Sequence, residues 1–160
     1  MVHSPVMAQP YNLGIHALVA LLAAAAATLV SQAARQAPLT VWDGVYTDAQ
    51  AARGQAVFVR SCGGCHRDDM SGGDDAEPPL RGSHFTGKWE DAVVAELYDF
   101  IATSMPRNRP GSLPLQDCVD IVAFILKSNE MPPGSAELTM DIDRLAAIRF
   151  TATRPIPQRE

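Results

Sequence analysis

The string Cys62-Gly63-Gly64-Cys65-His66 constrains this chain more than any other feature. On a turn of helix, residues three and four apart share a face. Two thiols can then reach the two vinyl groups on one edge of a haem, while the next side chain, an imidazole, rises under the iron. C-x-x-C-H is the attachment signal for c-type haem. Two other chemistries share part of the string. A thioredoxin-like dithiol also uses C-x-x-C, but within an α/β fold, and no βαβ pattern is visible here. A structural zinc site needs about four ligands, and beyond the motif the chain after residue 33 adds only His84 and Cys118. The residues favour covalent haem.

Composition agrees with that choice. Apolar residues make up 47% and aromatics only 6%, while 24 positions are alanine. Core volume must therefore come from small aliphatics, and an apolar group from outside the chain would help fill it. Net charge is −5 with no basic run, which argues against nucleic acid or an anionic membrane surface as partner. The charge distribution points to export. No charged side chain precedes Arg35, and Ala17 to Val30 is an uncharged run of fourteen residues. That length is short for a spanning helix and suits a signal-peptide core. Ser31-Gln32-Ala33 supplies small residues at a cleavage site, and an uncleaved anchor is the alternative, because Lys and Arg are absent from the n-region. The expected product is periplasmic, monomeric and without a membrane span.

The remaining pattern is all-α. Residues 34–46 read as a lead-in, 47–134 as the haem domain and 135–160 as a C-terminal extension. Thr47-Asp48-Ala49-Gln50 reads as a capping box opening a helix toward Cys62. From Arg67 to Lys88 the chain looks loop-like, with an acidic cluster of Asp68, Asp69, Asp74, Asp75 and Glu77. A second helix is expected from about Glu90 to Thr103, with Val93, Leu97 and Ile101 on one face. A third should begin between Ser112 and Leu115 and run to Asn129. No strand pattern appears. In the extension, Leu138, Ile142, Leu145, Ile148 and Phe150 can pack on the domain, or serve a partner instead.

A haem iron also asks for a sixth ligand, and Met70, Met105, Met131 and His84 are available. Met70 is only four residues past His66, and Met131 follows the third helix. Met105 stands at the end of a helix whose apolar face can line a pocket, with Pro106 fixing the turn after it. It is the favoured ligand. An open position would instead permit oxygen or peroxide chemistry.

From about Val41 to Leu138 the chain resembles the class I cytochromes c. Gly54 and Phe58 precede Cys62 by eight and four residues, and Ile121 and Phe124 match the family's helix-crossing positions. Pro78-Pro79-Leu80 matches its Pro-x-Leu, and Met105-Pro106 its axial methionine motif. The resemblance implies three main helices and long loops around one haem c, bound through Cys62 and Cys65. It also implies that His66 and Met105 hold the iron and that the Pro78 carbonyl accepts from His66. Val41 to Thr47 and Pro110-Gly111-Ser112-Leu113 look like periplasmic cytochromes found with quinone-cofactor (PQQ) dehydrogenases. The implied function is one-electron transfer, without catalysis, from a dehydrogenase to a cytochrome or terminal oxidase, with Arg107 and Arg109 bordering the docking edge. The alternatives are a haem subunit of a dehydrogenase complex, or a ligand-sensing or peroxidase-like protein if Met105 leaves the iron free. Cys118 departs from the family's bulky residue and reads as a half-buried small hydrophobe. Pro114 stands where a Ser or Thr N-cap is usual.

Overall fold

The computed structural model describes residues 38–73 and 77–155. The expected signal segment 1–33, the first residues of the lead-in, and Asp74 and Asp75 lie outside them. The elements in order are β1 (Leu39–Thr40), α1 (Asp48–Ser61), α2 (Gly63–His66), α3 (Gly82–Trp89), α4 (Val94–Ser104), α5 (Leu115–Ser128), α6 (Ile142–Ala146) and β2 (Ile148–Arg149). The fold is all-α, apart from a parallel pairing of β1 with β2 that is two residues long. Strands that short show no alternation in a sequence. Among the described residues, no helix is long and apolar enough to cross a membrane.

Helices α1 and α5 form the central crossing. A Cβ at Gly54 would stand 1.8 Å from the backbone oxygen of Asp120, so only glycine permits this approach. Phe58 and Phe124 meet edge to face beside it, with ring centroids 5.5 Å apart at 62°. Below the crossing, Asp120 is buried and takes two hydrogen bonds from Arg53, at 2.9 and 3.2 Å, and one from Gln116. A buried carboxylate needs that full set of donors.

The capping box is half made. Thr47 Oγ1 accepts from the Gln50 amide at 3.1 Å, but the Gln50 side chain does not reach back. It is fully buried and pairs with the backbone of Leu138 in both directions, at 2.9 Å each. The extension is thereby tied to α1 and packs on the body through Leu138, Leu145, Ile148 and Phe150, while Ile142 stays 51% exposed.

Three expectations are corrected. The stretch expected to be loop from Arg67 to Lys88 contains α3 and its buried Phe85. The second helix starts at Val94 rather than near Glu90, with Val93 as its N-cap. Asp91, a turn residue at φ +65°, and Ala92 are bonded to the backbone of Phe150, whose N–H donates to Ala92 at 2.8 Å and whose carbonyl accepts from Asp91 at 3.2 Å. Tertiary pairing overrides the local helical preference there. Cys118 is completely buried rather than half-buried.

Tyr46 offers a pH test of this packing. It is fully buried and donates to the Met131 carbonyl at 2.5 Å. Burial, helped by the charge of Asp48, pushes its hydroxyl from 10.0 up to about 12. The unfolded chain therefore loses this proton at lower pH than the folded one. Stability from this group is intact below pH 10 and is lost as pH rises toward 12, by about 2–3 kcal/mol. Urea unfolding at pH 8 and at pH 11.5 to 12 checks it. The fall with pH should be smaller by about that amount in Tyr46→Phe, and equal falls in both proteins would refute the assignment.

Candidate functional site

The last turn of α1 delivers Cys62, whose amide bonds to Phe58 O at 2.7 Å, and the chain continues directly into the single turn of α2. Cys65 and His66 both bond back to Cys62 O, at 3.1 and 2.9 Å. The three side chains are thus fixed relative to one another by backbone alone. The chain then folds back: Gly72 N–H reaches His66 O at 3.1 Å, and Leu80 N–H reaches Met70 O at 3.0 Å. Gly72 has φ +75°, and a Cβ there would stand 2.5 Å from Glu77 O, so the return path needs glycine.

That return brings Pro78 O to 3.1 Å from His66 Nδ1. A carbonyl oxygen can only accept, so Nδ1 carries the hydrogen and a neutral imidazole keeps its lone pair on Nε2. Nε2 is the nitrogen left free to bind a metal, with its ring orientation set by the second bond. Asn129, at the end of α5, braces the same loop. Its Oδ1 accepts from Gly82 N–H at 2.9 Å and its Nδ2 donates to Leu80 O at 3.0 Å.

Cys62, Cys65, His66, Pro78 and Met105 line one cavity of about 600 Å³. Phe58, Leu97, Ile101, Ile121 and Ile125 supply its apolar walls from α1, α4 and α5. Met105 is half-buried in the extended residue that ends α4. His84 lines the same cavity from the first turn of α3 but is exposed. Met70 and Met131 are 1% and 2% exposed and belong to the core rather than to the cavity wall. Arg107 stands at the rim, whereas Arg109 is not part of the lining.

The thiols are poorly set up for dithiol redox work. Burial pushes the Cys62 thiol up to about 11, with smaller contributions from Cys118 and Cys65. A hydrogen bond with Glu77, then its negative charge, raises Cys65. Reactive dithiols need the opposite shift, toward thiolate. Among the described residues, no group of three or more His, Cys, Asp or Glu side chains is placed to hold a metal ion unaided. The donor set and the apolar walls instead suit a large flat macrocycle that brings its own iron and is anchored on one edge by two thiols. The residues fit a haem.

Part of this wall was not anticipated. Phe85, Lys88, Trp89 and Phe100 all contribute to it. The only hint in the sequence is the four-residue spacing of Phe85 and Trp89.

Comparison with known proteins gives two matches. Residues 49–125 match the family model for cytochrome c oxidase, cbb3-type, subunit III. The crystal structure of the sulfane dehydrogenase SoxCD from Paracoccus pantotrophus is similar in fold, with a TM-score of 0.50 and 22% sequence identity over 73% of this chain. The present chain spans 66% of that matched chain's length. No curated protein matches by sequence.

Proposed function

We propose that this chain is a class I c-type cytochrome, supported by the family-model match over residues 49–125, and that it is a periplasmic one-electron carrier holding a single haem c, with Cys62 and Cys65 as thioether anchors and His66 and Met105 as iron ligands. One observation carries this reading: all four side chains line a single, largely apolar cavity. Once bound, the haem iron supplies reversible one-electron Fe(III)/Fe(II) chemistry.

The chain's own residues do the rest. The Pro78 carbonyl holds the hydrogen on His66 Nδ1 and so keeps Nε2 available. Phe58, Leu97, Ile121 and Ile125 give the inner wall of the cavity an apolar surface that disfavours water beside a bound group. Cys62 and Cys65 fix the edge of the group to a rigid helical turn, and Met105 offers a soft thioether from the end of α4. Because both ligands come from ordered backbone, little rearrangement accompanies a change of oxidation state.

The donor we assign is a dehydrogenase of the quinone-cofactor type, and the acceptor a cytochrome or terminal oxidase. A second reading, a haem subunit held permanently in a dehydrogenase complex, is favoured by the fold likeness to a sulfane dehydrogenase. Size-exclusion chromatography of native periplasmic extract separates the two: a free carrier elutes at the size of one chain. For the haem itself, protein matured in an exporting host should stain for haem after denaturing electrophoresis. It should also refuse carbon monoxide when reduced at neutral pH. Haem that leaves the chain in detergent would overturn covalent attachment, and rapid carbon monoxide binding would overturn closed ligation.

A further inference from the structure

The C-terminal strap of residues 138–151 lies outside the matched stretch 49–125, yet one of its side chains backs a wall of the cavity. Phe85 and Trp89 stand one turn apart on α3 and both line the cavity. Phe150 does not line it. Its ring centroid lies 6.1 Å from that of Phe85, at 76°, and 6.1 Å from that of Trp89, at 37°. It is 1% exposed, so it fills space behind the wall.

The Phe150 backbone is held from two remote parts of the chain. Its N–H and carbonyl bond to Ala92 and Asp91. Its neighbour Arg149 pairs with Thr40 in the β1–β2 ladder and accepts from Val41 N–H at 3.0 Å. Trp42 Nε1 donates to Thr151 O at 2.9 Å. This ring is therefore fixed by contacts that do not depend on the cavity's occupant.

Helix α3 needs such support. It has eight residues, its N-cap Arg81 makes no side-chain bond to it, and it contains Gly82 and Gly87. An isolated helix of that length does not persist in water, and an interior glycine costs about 1 kcal/mol relative to alanine. The Asn129 bond holds only its first residue. Its cavity-facing aromatics must be held by packing, and Phe150 touches both.

We propose that Phe150 is a positioning residue for the haem: by bracing Phe85 and Trp89 it keeps the α3 wall closed against water and so raises the redox potential. This rests on the haem reading given above. The oxidised group carries one more positive charge than the reduced group, so water entering through a loosened wall stabilises Fe(III) and lowers the potential.

The test is a spectroscopic redox titration of matured protein, run beside thermal unfolding. Phe150→Ala should shift the Fe(III)/Fe(II) ratio at a fixed solution potential roughly tenfold toward Fe(III), about 59 mV for one electron. Phe150→Leu, which refills most of the volume, should recover most of that shift. Leu138→Ala removes a buried side chain from the same strap, away from this wall. It should lower the unfolding temperature and leave the potential unchanged. An unchanged potential in Phe150→Ala overturns the proposal, as does an equal shift in Leu138→Ala. If Phe150→Ala does not mature, Phe150→Leu and Phe150→Val decide: a graded fall supports the brace, and no fall in either rejects it. A wild type without covalent haem on a denaturing gel would instead sink the haem reading, whatever the Phe150 series shows.

Discussion

Replacing both Cys62 and Cys65 by alanine is expected to yield a chain that carries no covalent haem and loses most of its cooperative fold. The argument is one of volume. The cavity holds about 600 Å³, and unfilled core space costs about 24 cal/mol per Å³. A rigid, empty cavity of this size would cost about 14 kcal/mol as an upper bound, since the mouth is open to water. That figure reaches the top of the range of total stability for an ordinary domain, about 5–15 kcal/mol. Without its occupant the chain cannot keep Phe58, Leu97, Ile101, Ile121 and Ile125 apart, and few aromatics are available to refill the space. Each single variant keeps one thioether and the His66 side chain, so it should retain haem in reduced yield. Haem staining after denaturing electrophoresis and far-ultraviolet circular dichroism measure the two effects. A double variant that still stains, or that unfolds as cooperatively as the wild type without haem, would contradict the account.

How much of this could be read from the sequence depended on whether each signal was local. Cys62 to His66 is contiguous, so its geometry follows from one turn of helix. Thr47 announced the start of α1 for the same reason. Gln50 next to it looked equally local, but its amide is spent on Leu138, 88 residues away. No pattern near Gln50 records that partner. Helix α3 escaped because it offers one apolar pair, Phe85 and Trp89, amid glycines and polar residues. Its long-range partners, Phe150 against Phe85 and Trp89 and Asn129 at Gly82 N–H, are both distant in sequence. The late start of α4 has the same origin, since Asp91 and Ala92 pair with the strap instead of extending the helix. The crossing at Gly54 was accessible through the family resemblance, which pointed to a close contact, and the structure leaves no room for a Cβ there against Asp120 O.

The cavity divides along similar lines. His66 Nδ1 lies within hydrogen-bond reach of Pro78 O, a contact implied by resemblance rather than by spacing, because the loop between them has no periodicity. Arg107 stands at the rim and Arg109 does not, a distinction that a turn of unspecified shape could not make. Lys88 and Phe100 carried no mark at all. Both line the cavity, where Lys88 Nζ lies 5.9 Å from the ring centroids of both Trp89 and Phe100.

Methionine replacements should sort into two classes with opposite signatures, and this separates a ligand from a packing residue. Met105→Ala is expected to abolish the weak long-wavelength absorption band of a ferric thioether–haem pair. It should also lower the potential by on the order of 0.2 V, a quarter of the ~0.8 V range that axial ligands span. At 59 mV per decade that exceeds a thousandfold change in the redox equilibrium. The direction follows from the thioether, a soft ligand that favours Fe(II). Its effect on folding should be smaller, because Met105 is only half-buried. Met70→Ala and Met131→Ala should do the reverse. Both side chains are buried, at 1% and 2% exposure, and such truncations cost about 2–5 kcal/mol, yet neither lines the cavity. They should lose stability while keeping the band and the potential. Urea unfolding and a redox titration on all three variants read both axes at once. Loss of the band in Met131→Ala with its survival in Met105→Ala would transfer the ligand role to the core methionine. If the wild type lacks the band and His84→Ala alters the spectrum, the ligand comes from α3, whose only cavity-lining imidazole is His84. If the wild type lacks it and binds carbon monoxide, the sixth position is open, and ligand sensing or peroxide chemistry replaces electron carriage.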